Sequence, residues 1–169
     1  MEERIIYEHL GDDIISFEYQ YEQSEIGGFK PQGLWASPIN SKYKWKTWCQ
    51  ENDFKFESLQ HHFEFTLKPY ARILTVDSVD SLAKVTSKYK GEEIPQSMLP
   101  VYNYFSKVYT AANFQFTHYI DFQKISQEYD GFEVLISSDP RLYYVMYGYD
   151  VDSLIIWNLK VIQKVSSES

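Results

Sequence analysis

One run near the end of the chain, Ser153-Leu154-Ile155-Ile156-Trp157, constrains the fold more than any other stretch. It shows no alternation of apolar and polar residues. Successive side chains of a strand point to opposite faces, so such a run fits a strand that is central or covered on both sides. Two carboxylates, Asp150 and Asp152, stand at its mouth. A buried strand that opens on acids places them at the rim of a sheet, where a ligand can meet them.

The rest of the chain supplies partners for that strand. Period-two or short apolar patterns predict strands over 5–7, 14–21, 33–37, 61–67, 72–76 and 132–136, with an edge segment at 161–165. In 14–21 the alternating residues are Ile15, Phe17, Tyr19 and Tyr21. Helical spacing predicts a helix over 42–50, capped by Asn40 or Ser41, with Trp45, Trp48 and Cys49 on its buried face. A second helix follows the cap Asp77-Ser78, with Val79, Leu82, Ala83, Val85 and Tyr89 inward. Two more fit 101–109 and 121–128, the latter with Phe122 and Ile125 inward and ended by Gly131. Segments 91–100 and 137–148 read as loops. Seven or eight strands with three or four helices, in no strict βαβ order, make an α+β fold with a mixed or antiparallel sheet core. A length of 169 residues fits a single domain over 1–169.

Composition narrows the function. Net charge is −8, which argues against non-specific nucleic-acid binding, since that needs phosphate neutralisation. Aromatics make up 18% of the chain, either as a Tyr-rich core and surface or as the lining of a pocket for a flat ligand. The single cysteine, Cys49, allows no intramolecular disulfide and no Cys-based zinc site, and the expected setting is cytoplasmic. The acidic start does not read as a signal peptide, and no apolar run reaches membrane-spanning length. His61 and His62 are adjacent in a strand and point to opposite faces, so they do not chelate one metal together. No metal site is expected.

Three motifs carry a family resemblance. Ile5-Ile6-Tyr7-Glu8-His9 is similar to an opening strand with Tyr-His or Arg. Gly33-Leu34-Trp35-Ala36-Ser37 is similar to a Gly-Ile-Tyr-Phe-Ala-Ser strand followed by a polar turn and a helix. The segment 152–162 resembles a terminal Glu-Tyr-Ile-Val-Tyr-Asp strand. Together, and in this order, they resemble the ADP-ribosyltransferase-like fold of the diphtheria-toxin-like and polymerase branch. The resemblance covers about a fifth of the chain. It departs from the pattern in two places: Glu8 stands where the His is expected, and Asp152 lies one residue before the aligned position, Ser153.

The resemblance implies an NAD-dependent transferase that binds NAD in a cleft between two small sheets. It implies Asp152 as catalytic acid, with Glu133 and Asp150 as rivals. Tyr7, His9, Gly33, Leu34, Trp35 and Ser37 would meet the cofactor, with Trp35 stacked on nicotinamide and His9 or Arg4 near the adenosine half. Breaking the nicotinamide–ribose bond develops positive charge on the sugar, which a fixed carboxylate stabilises. A cationic ring favours a π face. A macromolecular acceptor follows, protein rather than nucleic acid, with a toxin or effector role (between phage and bacterium, for instance) and an antitoxin or inhibitor as possible partner. The alternative is an inert binding protein of the same fold, acting through an acidic, Tyr-rich surface.

Overall fold

The computed structural model describes residues 4–11, 16–52, 62–109, 114–146 and 148–165. The run at 153–157 forms β8 (Ser153–Ile156), paired on one side with β7 (Gly131–Val134) and on the other with β2 (Leu34–Pro38). Its side chains divide between two cores. Ile155 and Trp157 join one, and Leu154 and Ile156 the other. All four are fully buried. The missing alternation thus reports apolar cover on both faces.

Seven strands make one sheet in the order β4-β7-β8-β2-β1-β3-β9. The remaining members are β1 (Tyr7–Leu10), β3 (His62–Leu67), β4 (Ile73–Val76) and β9 (Ile162–Lys164). β4 runs parallel to β7, and the other neighbours are antiparallel. The sheet curls. The Tyr7 hydroxyl on β1 reaches Glu133 on β7 at 3.0 Å, although β2 and β8 lie between them. A flat sheet would hold those strands roughly 14 Å apart. Tyr7, Phe63, Phe65, Leu154 and Ile156 fill the inside of the curl.

Helices cover the other face. α2 (Val79–Lys88) starts at Ser78, whose hydroxyl accepts the Ser81 N–H, and it buries Val79, Leu82 and Val85. Ala83, expected inward, is exposed. α4 (Phe122–Glu128) starts at Asp121 and buries Phe122 and Ile125. α5 (Leu142–Val145) adds Leu142 and Val145. The pair β5 (Lys90–Glu93) and β6 (His118–Ile120) forms a separate two-stranded sheet. α3 (Leu99–Tyr109) completes the set with α1 (Trp45–Glu51).

The class is therefore α+β with a curled mixed sheet. Several local expectations change. Over 16–21 there is no strand, only a bridge from Gln20 to Asn158, and 12–15 lie outside the described residues. β1 begins at Tyr7 rather than Ile5. The expected loops hold β5 and α5. His61 lies outside the described residues. Among the described residues no helix is long and apolar enough to cross a membrane.

Candidate functional site

The β1–β2 ladder pairs Tyr7 with Pro38 and Glu8 with Ser37, and pairs no further. Beyond it the His9 ring intervenes, with Nδ1 2.6 Å from the Trp35 carbonyl. A carbonyl only accepts, so Nδ1–H donates. β1 stays paired with β3 as far as Leu10, so the two strands part here. A cavity of about 620 Å³ lies beside the parting, lined by Glu8 and His9 from β1 and by Gly33 and Trp35 from the β2 side. α1 contributes Trp45, Trp48 and Cys49, and the loops contribute Lys30, Gly148 and Asp150. Cavities of this size suit small-molecule ligands.

Its aromatic wall is a chain of edge-to-face indoles. Trp35 and Trp45 have centroids 5.9 Å apart at 75°, and Trp45 and Trp48 5.6 Å apart at 79°. The Lys30 ammonium stands 5.8 Å from the Trp35 ring. Gly148 has φ +85°, and a side chain there would collide with Lys30 Cε. The backbone thereby leaves room for Lys30 at the cavity.

Ser37 positions α1. Its hydroxyl donates to the Asp152 carbonyl at 2.8 Å and accepts the Trp45 N–H at 3.0 Å. Neither Asn40 nor Ser41 caps this helix; the Ser41 hydroxyl donates instead to Asp152 Oδ2 at 2.6 Å. Gly33 lets β2 lie against β8. A Cβ there would stand 2.6 Å from the Ile156 carbonyl oxygen.

Trp35, His9, Gly33 and Asp150 therefore share one cavity. Asp152 is elsewhere. It is 2% exposed and buried away from the cavity lining. Its carboxylate accepts the Ser137 N–H at 2.8 Å, the Ser137 hydroxyl at 2.6 Å and the Ser41 hydroxyl. It ties the β2–α1 and β7–α5 loops to the start of β8. Leu34 faces the inside of the curl, and Ser37 is buried beneath α1.

Glu133 and Tyr7 also sit inside the curl. Glu133 accepts from the hydroxyls of Tyr7 and Thr75 at 3.0 and 3.3 Å. Burial raises its carboxyl above the ordinary 4.5; the Tyr7 and Thr75 hydroxyls oppose this, and the Asp152 charge adds to it. Burial likewise pushes the Tyr7 phenol up, with the Glu133 charge adding to the effect. Folded Glu133 thus holds its proton more tightly than the unfolded chain does. Its contribution to stability is full below pH 4.5 and is lost as pH rises through the raised folded value. Glu133→Gln cannot ionise. Urea midpoints measured from pH 4 to 8 should show the wild type losing stability relative to this variant as pH rises; a constant difference would contradict the assignment.

The expected cleft between two sheets is replaced by a cavity on one curled sheet, roofed by α1. The β5–β6 pair does not line it. Helical spacing gave Trp45, Trp48 and Cys49 a shared face, but spacing does not tell a core from a cavity wall. Glu8 entered the sequence reading only as a departure from the opening-strand motif, and Lys30 was given no role there. Among the described residues no group of three His, Cys, Asp or Glu could hold a metal ion. In comparisons with protein-family models, curated proteins and solved structures, nothing matches the chain.

Proposed function

We propose that the cavity binds the nicotinamide riboside half of NAD and that the protein transfers ADP-ribose to a macromolecule. One observation carries this reading: Trp35 from the early Gly-Leu-Trp run and Asp150 from the approach to β8 line the same cavity. The indoles offer π faces to a cationic ring. Asp150 offers negative charge where the ribose would become cationic. The C1′–N1 bond breaks and its electron pair stays on nicotinamide, which leaves neutral. A lone pair of the acceptor then bonds C1′, and the acceptor's proton passes to Asp150 or water.

Within this reading Asp150 replaces Asp152 and Glu133 as the acid. His9 holds the β1–β2 parting open, and Trp35 carries the ring. Tyr7, Leu34 and Ser37 support the site from outside it. The ADP-ribosyltransferase-like fold, a toxin or effector role and an antitoxin partner rest on the resemblance of the three motifs. A protein acceptor suits the charge of −8 better than a nucleic acid does.

A second reading draws on the fate of the two other acids. Asp152 and Glu133 are both committed to internal hydrogen bonds, as in an inert protein of the same fold. Its surface would carry the interaction: Tyr19, Tyr43, Tyr70 and Tyr104 are all exposed. Incubation with NAD, with and without cell lysate, separates the two. Free nicotinamide should appear with the wild type and vanish with Trp35→Ala. No release, together with no NAD-dependent rise in Tm, would select the inert binder.

A further inference from the structure

Five acidic residues are buried among the described residues: Glu8, Asp130, Glu133, Asp139 and Asp152. Four are satisfied internally. Asp130 accepts the Arg72 N–H and the Asn158 amide, each at 2.9 Å. Asp139 accepts the Val79 N–H at 3.0 Å and pairs with the Arg141 guanidinium. Glu133 and Asp152 take the donors described above.

Glu8 is the exception. Its side chain is 7% exposed, and among the described residues its one partner is His62 Nε2 at 3.9 Å, beyond hydrogen-bond reach. Its oxygens are not sealed in the core but open to the cavity, where a ligand or water supplies the donors that the fold does not. Register shows where it points. Glu8 pairs with Ser37, two residues from Trp35 on the same strand, so Glu8 and Trp35 share a face of the sheet. Both line the cavity.

We propose that Glu8 is a ligand-contacting carboxylate that receives two neighbouring hydroxyls of a ribose. A carboxylate offers two acceptor oxygens in a fork, and a vicinal diol offers two donors side by side. The assignment rests on the nicotinamide riboside reading of this site, and it extends that reading by naming the group that recognises the sugar.

The test uses tryptophan fluorescence titrations of the full chain with three probes: nicotinamide riboside, its 2′,3′-dideoxy analogue, and 1-methylnicotinamide, which has the cationic ring without the sugar. Wild type should bind the riboside about 10- to 100-fold more tightly than either of the others. Glu8→Gln should lose that advantage and keep its affinity for 1-methylnicotinamide. Retention of the advantage in Glu8→Gln overturns the proposal. So does equal binding of riboside and dideoxy riboside by the wild type, a comparison that needs no variant. If the riboside advantage depends on Glu8 but NAD is never cleaved, the transfer reading falls and the Glu8 assignment stands. If the wild type binds none of the probes, both fall.

Discussion

Asp152→Ala should lower the free energy of unfolding by about 3 kcal/mol, measured by urea denaturation at neutral pH. The substitution strips a common acceptor from the Ser137 N–H, the Ser137 hydroxyl and the Ser41 hydroxyl. A hydrogen bond to a charged group contributes about 1.5–3 kcal/mol net, and water reaches the exposed Ser137 and half-buried Ser41 once the carboxylate is gone. The cost of burying the carboxylate itself offsets part of the sum. Against a total stability of about 5–15 kcal/mol this is a large effect. Asp152→Asn should cost about 1 kcal/mol, because an amide oxygen still accepts the Ser137 N–H and both serine hydroxyls can turn to accept from the amide NH₂. A loss of nicotinamide release in Asp152→Asn with an unchanged urea midpoint would mean that Asp152 acts chemically.

Asp150→Asn should show the opposite pattern. The amide keeps the size of the side chain and removes its charge. Asp150 is half-buried at the cavity, and neither a hydrogen bond nor an ion pair ties its carboxylate into the fold among the described residues. Stability should therefore stay within about 0.5 kcal/mol of wild type. Nicotinamide release should fall about 10²- to 10³-fold, the scale set by removing one preorganised group facing transition-state charge. Wild-type turnover in Asp150→Asn would remove Asp150 from the chemistry. The two aspartates lie two residues apart, and the variants separate a structural acid from a reacting one.

The sequence reading succeeded where the signal was local. The unbroken apolar run marked β8 as interior, and Ser78 with the spacing of Val79, Leu82 and Val85 marked α2. It failed where pairing makes the element. β5 is Lys90-Gly91-Glu92-Glu93, charged and largely exposed, and it is a strand because β6 lies beside it. In 16–21 the alternation of Phe17, Tyr19 and Tyr21 mimics a strand, yet only Gln20 forms a bridge. At the site, Trp35 and Asp150 were legible as an aromatic and an acid flanking apolar strands. Glu8 was legible only as a departure from a motif.

By itself, then, the sequence determined the α+β class, a strand covered on both faces, the inward face of α4 and, Ala83 apart, that of α2, because periodicity and capping act over a few neighbouring residues. The tertiary structure alone decided that Asp150 and Glu8 share a cavity with Trp35, that Asp152 and Glu133 do not line it, and that Glu8 has no hydrogen bond from the described residues. Those outcomes depend on strand register and on the curl that carries Tyr7 to Glu133. Register and curl are set by contacts between residues far apart in the chain, and no local pattern encodes the direction in which a given side chain ends up pointing.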